Sequence, residues 1–400
     1  MILAICASHH QYAMMIDRIR LLHEAKASLD RVSVTMLLGP RQCGKTTLAR
    51  EIYEAGGGHF FDLEDPEIGA AFASPKLVLE PLDGLIIIDE AQWKPEIFPV
   101  LRGLADADRR AGRSRKFLLL GSASPALGLG ASESLAGRVH QILMQGFTLE
   151  ETGLDQVARL WGRGGFPDAF LACDDATSFM WRRDFIETFL LRDLPQMGVS
   201  VPPAELRRLW MMISHLHGQL LNLSDLGRSL SVNHSTVRRH LDILDQAYVV
   251  RILQPWHENL SKRQRKSPKL YVRDSGLLHA LLGVRDEAAL RLHPKAGASW
   301  EGFAIEQVLG ALRPEESFFW QTQGGAELDL LTFSGGRRLG FECKLSDRPT
   351  STKSMYVAAG DLQLDHLYVV HPGSHTFPLA DKITAIPLPE IVERANLGSL

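Results

Sequence analysis

The stretch from residue 39 to residue 46 reads GPRQCGKT, a spacing of glycine, lysine and threonine that suits the binding of phosphate groups. An apolar run, Val34 to Leu38, precedes it and a helical pattern follows it, so the stretch would join a strand to a helix. Its glycines let backbone N–H groups turn inward, and the helix adds the positive end of its dipole. Lys45 would reach the outer phosphates of a nucleotide, and Thr46 would offer its hydroxyl to Mg²⁺. The predicted nucleotide contacts of this loop are Gly39, Pro40, Arg41, Gln42, Cys43, Gly44, Lys45, Thr46 and Thr47.

Two acidic residues end a second apolar run, LIIIDE at residues 85–90. We expect Asp89, at the end of this strand, to hold Mg²⁺ together with Thr46, and Glu90 to polarise the attacking water as general base. A third apolar run, KFLLLG, ends just before Ser122. Because the carboxyl ends of parallel strands share one edge of a sheet, Ser122 is expected near the γ-phosphate or the attacking water.

Phosphoryl transfer also calls for an arginine that neutralises developing charge. Arg138, in SLAGRV, is the candidate, acting within its own subunit or on a neighbouring one in a homo-oligomer; the alternative is an ordinary surface arginine. The phosphate loop alone would also suit a nucleotide kinase, but Glu90 directly after Asp89 favours activation of water. The predicted chemistry is therefore hydrolysis of ATP with Mg²⁺.

A second group of polar residues lies near the C-terminus, in RRLGFECKLS. Strand alternation puts Glu342 and Lys344 on one face, and Asp329, in AELDLL, lies thirteen residues before Glu342. Two acids and a lysine on neighbouring strands are arranged as in a metal-dependent nuclease. Pairs of an acid and a lysine are also common on solvent-exposed strand faces. A domain can also keep its fold after its catalytic activity has been lost.

Between these two groups, the stretch NLSDLGRSLSVNHSTVRRHLDIL predicts two short helices, with Ser224 capping the first and His234 starting the second. A strand, YVVRIL, and a basic stretch, SKRQRKSPK, follow, which is the order of a winged helix. The densest basic cluster of the chain lies in this stretch and consists of Lys262, Arg263, Arg265, Lys266 and Lys269. The residues expected to face outward on the second helix are Ser235, Thr236, Arg238, Arg239 and His240. DNA contacts are predicted at Arg238, Arg239, Lys262, Arg263, Arg265 and Lys266; the alternative is a module that contacts a protein partner.

The composition is typical of a globular protein: 400 residues, 45% hydrophobic and 23% charged, with a net charge of −3. This charge argues against a protein that coats nucleic acid over its whole surface. The four cysteines lie far apart and form no metal or disulfide pattern. Such scattered cysteines fit a reducing cytosol, so we expect a cytoplasmic protein. No apolar run approaches the roughly 18 residues of a membrane span, so we expect no membrane contact.

The order of these patterns predicts an α/β protein of several domains. We expect a tail at residues 1–14, a P-loop ATPase core with a parallel sheet at 15–152, and a helical lid at 153–217. A winged helix would occupy residues 218–262, and a small α/β domain would occupy 263–400.

The motifs LLGPRQCGKTTLA, LIIIDEAQ, GSAS and LAGRV, in this order, resemble the AAA-type ATPases of bacteria and archaea that carry a C-terminal domain of unknown function. The similarity continues through GGFPDAF, FLLRDLPQMGV and KSPKLYVRDSGLLHALLG, and so covers nearly the whole chain after Met15. The resemblance implies binding of ATP with Mg²⁺.

The order of elements near the C-terminus resembles the core of restriction-endonuclease-like and Holliday-junction-resolvase-like nucleases. That resemblance implies that Asp329 and Glu342 hold one or two Mg²⁺ or Mn²⁺ ions and that Lys344 activates the hydrolytic water. Glu301 would complete the metal ligands, with Glu306 the less favoured choice. The resulting hypothesis is an ATPase whose nucleotide state controls a winged-helix and nuclease-like module on DNA. The competing hypothesis is a regulatory or scaffolding ATPase that binds a protein partner, with an inert nuclease-like domain.

Overall fold

The computed structural model describes residues 16–123, 139–257 and 266–400. The chain forms two compact units. The first consists of Met1–Gly146, Thr188–Val201 and Asp242–Val249, and the second of Phe147–Glu187, Pro202–Leu241 and Val250–Leu400. Four of the predicted functional residues lie outside the described residues: Arg138, Lys262, Arg263 and Arg265.

A parallel five-stranded sheet forms the centre of the first unit, in the order β2-β3-β4-β1-β5. Its strands are β1 (Val34–Leu38), β2 (His59–Asp62), β3 (Leu85–Asp89), β4 (Lys116–Gly121) and β5 (Val139–Leu143). The continuous apolar runs of β1, β3 and β4 are typical of parallel strands that are buried on both faces. The predicted α/β fold with a parallel sheet is confirmed.

Helices cover both faces of this sheet: α1 (Ile19–Arg31), α2 (Lys45–Gly56), α3 (Pro66–Ala71), α4 (Pro75–Leu79) and α5 (Ile97–Ala111). Strand alternation divides the core into two layers. Ile87 packs with the apolar side chains of α1 and α2, whereas Ile86 and Ile88 pack with those of α5. The C-terminal end of β3, which carries Asp89, lies at the same edge of the sheet as the start of α2.

The segment 188–201 also belongs to the first unit and contains a π-helix, Phe189–Asp193, followed by the short helix α10 (Leu194–Gln196). Pro195 lies just after the wide turn. Because a proline has no N–H to donate to the carbonyl four residues earlier, a wider turn is a common response. The π-turn leaves Asp193 completely buried.

Most of the described helices lie wholly or mainly in the second unit. They are α6 (Leu149–Thr152), α7 (Val157–Arg163), α8 (Pro167–Leu171), α9 (Asp175–Thr188), α11 (Pro203–His215), α12 (Leu223–Leu230), α13 (His234–Gln246), α14 (Ser275–Leu281), α15 (Glu287–Leu292) and α16 (Ala296–Leu312). Thr188 at the end of α9 and the residues of α13 from Asp242 onward belong to the first unit. Helix α16 is buried along most of its length, because its sequence is apolar nearly all round.

A small antiparallel sheet accompanies α12 and α13, in the order β6-β8-β7. Its strands are β6 (Gln219–Leu220), β7 (Val250–Leu253) and β8 (Lys269–Val272). Strand β8 lies beyond residue 262, where the sequence analysis placed a domain boundary. The hairpin of β7 and β8 therefore continues past that boundary.

Two details of α12 and α13 correct the sequence analysis. The cap of α12 is Asn222, not Ser224, because Asn222 has the extended backbone of a cap and its side-chain oxygen accepts the N–H groups of Ser224 and Asp225. His240 is buried rather than outward-facing, with 2% exposure. The helical period explains this, because it puts His240 on the face of Val237.

The C-terminal part of the second unit contains a six-stranded mixed sheet, in the order β13-β14-β12-β11-β10-β9. Its elements are β9 (Glu316–Gln321), β10 (Glu327–Ser334), β11 (Arg337–Cys343), α17 (Lys353–Asp361), β12 (His366–His371), β13 (Phe377–Ala380), β14 (Ile383–Pro387) and α18 (Leu388–Asn396). Asp329 and Glu342 lie on the adjacent strands β10 and β11, as the sequence analysis predicts. A break in the register between β9 and β10, from Leu328 to Leu331, spans Asp329. Such bulges redirect side chains and are frequent beside active sites.

Two histidines are buried in the second unit. His279 contacts the Gly162 carbonyl through Nδ1 (3.0 Å) and the Ser299 hydroxyl through Nε2 (2.7 Å), and His217 accepts the N–H of Val272 (3.0 Å). Burial, together with nearby positive groups, lowers the pKa of each histidine to about 3. The folded state therefore keeps both rings neutral at pH values where the unfolded chain, with a histidine pKa of about 6.5, takes up a proton.

This difference predicts acid destabilisation. The stabilisation by neutral His279 is fully present above about pH 6.5 and is lost as the pH falls toward about 3, at about 1.4 kcal/mol per pH unit. The advantage of the wild type over His279→Gln in the free energy of unfolding should shrink by about 2 kcal/mol between pH 7 and pH 5. Urea unfolding at the two pH values measures it, with His234→Gln, at an exposed position, as the matched control. A difference that does not change with pH would contradict a neutral buried His279.

Candidate functional site

The phosphate loop lies between β1 and α2. Gly39 follows β1, and a Cβ atom at this position would lie 1.8 Å from the carbonyl oxygen of Met144, so only glycine fits there. Gly44 has a left-handed backbone (φ 98°) and immediately precedes the first residue of α2. The loop therefore ends at the N-terminus of a twelve-residue helix, where backbone N–H groups and the helix dipole favour phosphate.

The lysine and the threonine of the loop both form hydrogen bonds within the first unit. The buried ammonium of Lys45 donates to the carbonyls of Gly39 (3.0 Å) and Pro40 (2.8 Å), at the inside of the loop. The hydroxyl of Thr46 donates to Asp89 Oδ2 at 2.7 Å, which joins the start of α2 to the end of β3. Burial raises the pKa of Asp89 to about 6, although the Thr46 hydrogen bond opposes the shift. A carboxylate and a hydroxyl side by side are oxygen ligands that fit Mg²⁺.

Glu90 lies one residue beyond β3 in a strained conformation, with φ of 52°. Its carboxylate is held from two sides: the Ser122 hydroxyl donates to Oε1 at 2.8 Å, and the side-chain amide of Gln92 donates to Oε2. Ser122, which is expected near the γ-phosphate or the attacking water, therefore contacts the carboxylate of Glu90. The sequence analysis did not identify Gln92, although the short spacing from Glu90 in DEAQ was a visible signal.

The side chain of Arg41 forms ion pairs inside the first unit. This side chain is buried, and Nη1 lies 2.9 Å from Asp193 Oδ1 and 3.3 Å from the side-chain oxygen of Gln196, while Nη2 contacts Glu64. Burial lowers the pKa of Arg41, but the negative charges of Glu90, Asp193 and Glu64 outweigh it and raise the pKa overall. The phosphate loop is thereby tied to the π-helix segment of the same unit.

Three further residues of the loop differ in their exposure. Gln42 is exposed with a left-handed backbone, Cys43 is buried, and Thr47 is exposed in the first turn of α2. Arg18, which the sequence analysis missed, donates to the carbonyl of Cys43 at 2.9 Å and so fixes the loop backbone. No local motif marks Arg18, because its partners are distant backbone carbonyls.

The C-terminal acidic residues do converge, but with an additional lysine. Lys269 on β8 lies 3.2 Å from Glu301 Oε1 and 3.4 Å from Asp329 Oδ1. The Tyr271 hydroxyl donates to Glu301 Oε1 at 2.6 Å. The sequence analysis counted Lys269 with the basic stretch that follows β7, so its burial among carboxylates is a correction; only 5% of the residue is exposed.

Glu342 and Lys344 form the other half of this cluster. The Lys344 ammonium lies 2.7 Å from Glu342 Oε1, and the backbone N–H of Cys343 donates to Asp329 Oδ2 at 2.9 Å. Burial, reinforced by the charge of Asp329, raises the pKa of Glu342 to about 8 and that of Glu301 to about 7. These carboxyl groups therefore take up protons more readily than exposed ones.

Glu306, the less favoured candidate, lies outside the cluster of acids. It pairs with Arg251 and with Arg273, at 2.9 Å and 3.2 Å. Burial would raise the pKa of Glu306, but the two arginines outweigh it and lower the pKa to about 2. Within the described ranges, no group of three or more His, Cys, Asp or Glu side chains is placed to hold a metal ion.

Three protein-family models match successive parts of the chain. Residues 31–153 match the model of an AAA domain, residues 154–288 match a domain of unknown function (DUF8612), and residues 296–391 match another (DUF4143). With the phosphate loop, Asp89 and the parallel sheet, these matches define the class of the protein as a P-loop ATPase of the AAA type.

Two curated relatives extend the match over the whole chain. An uncharacterized protein of Mycobacterium tuberculosis and one of Mycobacterium bovis are each 48% identical over 387 residues, which is 97% of this chain and 87% of theirs. The chain therefore belongs to the same family as these two mycobacterial proteins, and within this chain residues 31–153 form its AAA-type P-loop ATPase domain. Family membership implies nucleotide binding, usually with Mg²⁺.

Solved structures give weaker similarities. A Walker-type ATPase of Pyrococcus abyssi is 15% identical with a TM-score of 0.46 and covers 67% of this chain and 96% of its own. A RuvB variant of Thermotoga maritima is 19% identical with a TM-score of 0.30 and covers 59% of this chain and 90% of its own. In the described part of the chain, no helix combines the length and apolarity needed to cross a membrane.

Proposed function

We propose that the protein is an ATP-hydrolysing switch whose nucleotide state controls a DNA-contacting module. The observation that carries the hydrolytic part is the contact of Thr46 with Asp89 at 2.7 Å beside a Glu90 held by Ser122. Thr46 and Asp89 would hold magnesium, which neutralises phosphate charge when bound. Lys45 and the N-terminus of α2 would bind the phosphates through N–H donors.

In this proposal, the carboxylate of Glu90 accepts a proton from the attacking water. Its two carboxylate oxygens each accept one hydrogen bond, from Ser122 and from Gln92, so its orientation is fixed. Each oxygen retains a second lone pair, so the carboxylate can still accept a proton from water. Ser122 therefore acts as a positioning residue for the base.

We further propose that α12, α13 and the β7–β8 hairpin form a winged helix. The order of helix, helix and hairpin supports this, and so do the exposed side chains of Arg238 and Arg239 on α13 and of Lys266 near the hairpin. Guanidinium groups on one exposed helix face are suited to phosphate oxygens and base edges. The recognised DNA would meet the protein at this face.

Double replacement of Arg238 and Arg239 by alanine tests DNA contact. If both arginines contact phosphates, the slope of log Kd against log salt concentration should fall by about 2, and affinity should drop. Fluorescence anisotropy of a labelled duplex between about 50 and 200 mM salt, with and without a non-hydrolysable ATP analogue, measures both. A nucleotide-dependent change in Kd is the expected sign of control.

The matched control is the double replacement of Arg109 and Arg110 by alanine, because these two arginines are also adjacent and exposed on a helix. It removes the same charge and should leave DNA affinity unchanged. Binding that is absent, or that does not depend on salt, would contradict DNA contact and favour a protein partner.

One observation favours that second candidate, a scaffolding ATPase. A cavity of about 1110 Å³ lies in the second unit, at the carboxyl ends of β11, β12 and β14. Its charged lining consists of five carboxylates (Asp155, Glu287, Asp347, Glu390 and Glu393) and two arginines (Arg291 and Arg394). Five negative and two positive groups disfavour DNA phosphates and favour a lysine- or arginine-rich segment of a protein partner.

The likeness of the C-terminal domain to nucleases rests on the order of its elements and on Asp329 and Glu342 on adjacent strands. The residues do not fit a divalent metal, however. The ammonium of Lys269 already lies between Glu301 and Asp329, where a second cation would be repelled. We therefore assign no hydrolytic step to this domain.

A further inference from the structure

We infer that Lys269 is a built-in cation that takes the place of a metal ion in the C-terminal acid cluster, and that removing its side chain opens a divalent-metal site. The inference concerns Glu301, Asp329, Glu342 and Lys269, all in the second unit. It uses the proposed likeness to nucleases for the comparison with a metal, and it does not depend on ATP hydrolysis or on DNA binding.

The strand β8 brings two different groups to the same carboxylate. Lys269 and Tyr271 are two residues apart and so point to the same side of the strand. The ammonium and the hydroxyl both reach Oε1 of Glu301, at 3.2 Å and 2.6 Å. A single strand thus supplies a charge and a hydrogen bond to the carboxylate that the nuclease likeness assigns to a metal.

Lys269 also bridges to the strand β10. Its Nζ atom lies 3.4 Å from Asp329 Oδ1, while Oδ2 of the same carboxylate accepts the N–H of Cys343 at 2.9 Å. The Lys269 ammonium also lies 5.7 Å from the centre of the Phe319 ring. A buried cation in this place cannot swing into water without leaving Glu301 and Asp329 uncompensated.

The charges of the cluster explain why the lysine is needed. Two buried carboxyl groups (Asp329 and Glu342) and the partly buried carboxyl group of Glu301 face two ammonium groups, from Lys269 and Lys344. Oε2 of Glu342 is buried and has no hydrogen-bond partner in the described part of the chain. Without the Lys269 ammonium, the three acids would offer the oxygen ligands that Mg²⁺ and Mn²⁺ prefer.

The alternative role for Lys269 is a second catalytic lysine beside a bound metal. The two roles differ in the wild type, because a catalytic lysine requires that the metal bind while Lys269 is present. Mn²⁺ binding therefore separates them without any assay of DNA cleavage.

The experiment is a calorimetric titration of Mn²⁺ into the nucleotide-free full chain. Wild type and Asp329→Asn are expected to give the same isotherm, because the acid cluster takes up no metal in either. Lys269→Ala should bind Mn²⁺ at an additional site that wild type lacks, and the double variant Lys269→Ala/Asp329→Asn should lose that site. The phosphate loop is unchanged in all four proteins, so its contribution cancels.

A thermal unfolding series gives a second measurement. The unfolding temperature of Lys269→Ala should be lower than that of wild type without metal and should rise on addition of Mn²⁺, whereas that of wild type should not change through this cluster. Lys344→Ala is the control, because Lys344 is partly exposed and Glu342 is its partner among the described ion pairs; it should gain no metal site.

Two results would overturn the inference. One is a wild-type Mn²⁺ site that disappears in Asp329→Asn, which would make Lys269 a partner of a bound metal. The other is a folded Lys269→Ala variant that gains no Mn²⁺ site. The first comparison needs only wild type and Asp329→Asn, so the inference can fail even where Lys269→Ala does not fold.

Discussion

Replacement of Glu90 by glutamine is expected to slow ATP hydrolysis by about 10²–10⁴-fold while ATP still binds. Glutamine has the size of glutamate and can still accept the hydrogen bond from Ser122, but it cannot accept a proton from water. The binding groups, Lys45 and Thr46, are unchanged. Phosphate release at saturating ATP measures the hydrolytic rate, and a fluorescent ATP analogue measures the dissociation constant.

The matched control for this variant is Glu96→Gln, which removes the same charge at an exposed position shortly after Glu90. Its rate should equal that of wild type. If Glu90→Gln hydrolyses ATP at the wild-type rate, Glu90 is not the general base. If the variant loses ATP binding instead, Glu90 contributes to binding ATP. The assignment of metal binding to Asp89 and of the general base to Glu90 would then be wrong.

The part of this site that could be predicted from the sequence is the part encoded by contiguous residues. The strand, loop and helix around Lys45 are recognisable because apolar runs and glycine spacing are local signals. The same holds for β3 with Asp89, and for the two strands that carry Asp329 and Glu342. Each of these predictions needed fewer than twenty neighbouring residues.

What the sequence could not provide was the pairing of distant residues. Arg41 and Asp193 lie 152 residues apart, and neither has a local pattern that indicates a buried partner. Lys269 was counted with a basic stretch because its neighbours in the chain are basic. The sequence did contain another signal, because Lys269 is followed directly by the apolar residues LYV, which are typical of a strand. In the structure all four residues of this strand are buried. Composition gives the charge of a segment, but burial decides whether that charge faces solvent.

The second large effect is expected at the pair of Arg41 and Asp193. Replacement of Arg41 by methionine keeps the length of the side chain but leaves the completely buried Asp193 with Arg192, which is itself 56% exposed, as its remaining charged partner among the described ion pairs. Removing one partner of a buried pair leaves the other charge poorly compensated, here by the exposed Arg192, so the free energy of unfolding should fall by up to about 3–5 kcal/mol. Urea unfolding followed by circular dichroism measures the change, and Arg102→Met, at an exposed helix position, should change it by less than about 0.5 kcal/mol.

The double variant Arg41→Met/Asp193→Leu distinguishes a loss of charge balance from a simple loss of contacts. If the cost of Arg41→Met comes from the unpaired carboxylate, removing that carboxylate as well should recover a large part of the lost stability. If the two single changes add, the pair contributes only packing. If the double variant regains stability but still hydrolyses ATP slowly, the ion pair is needed to position the phosphate loop. Restoring the stability of the fold would then not be enough to restore activity.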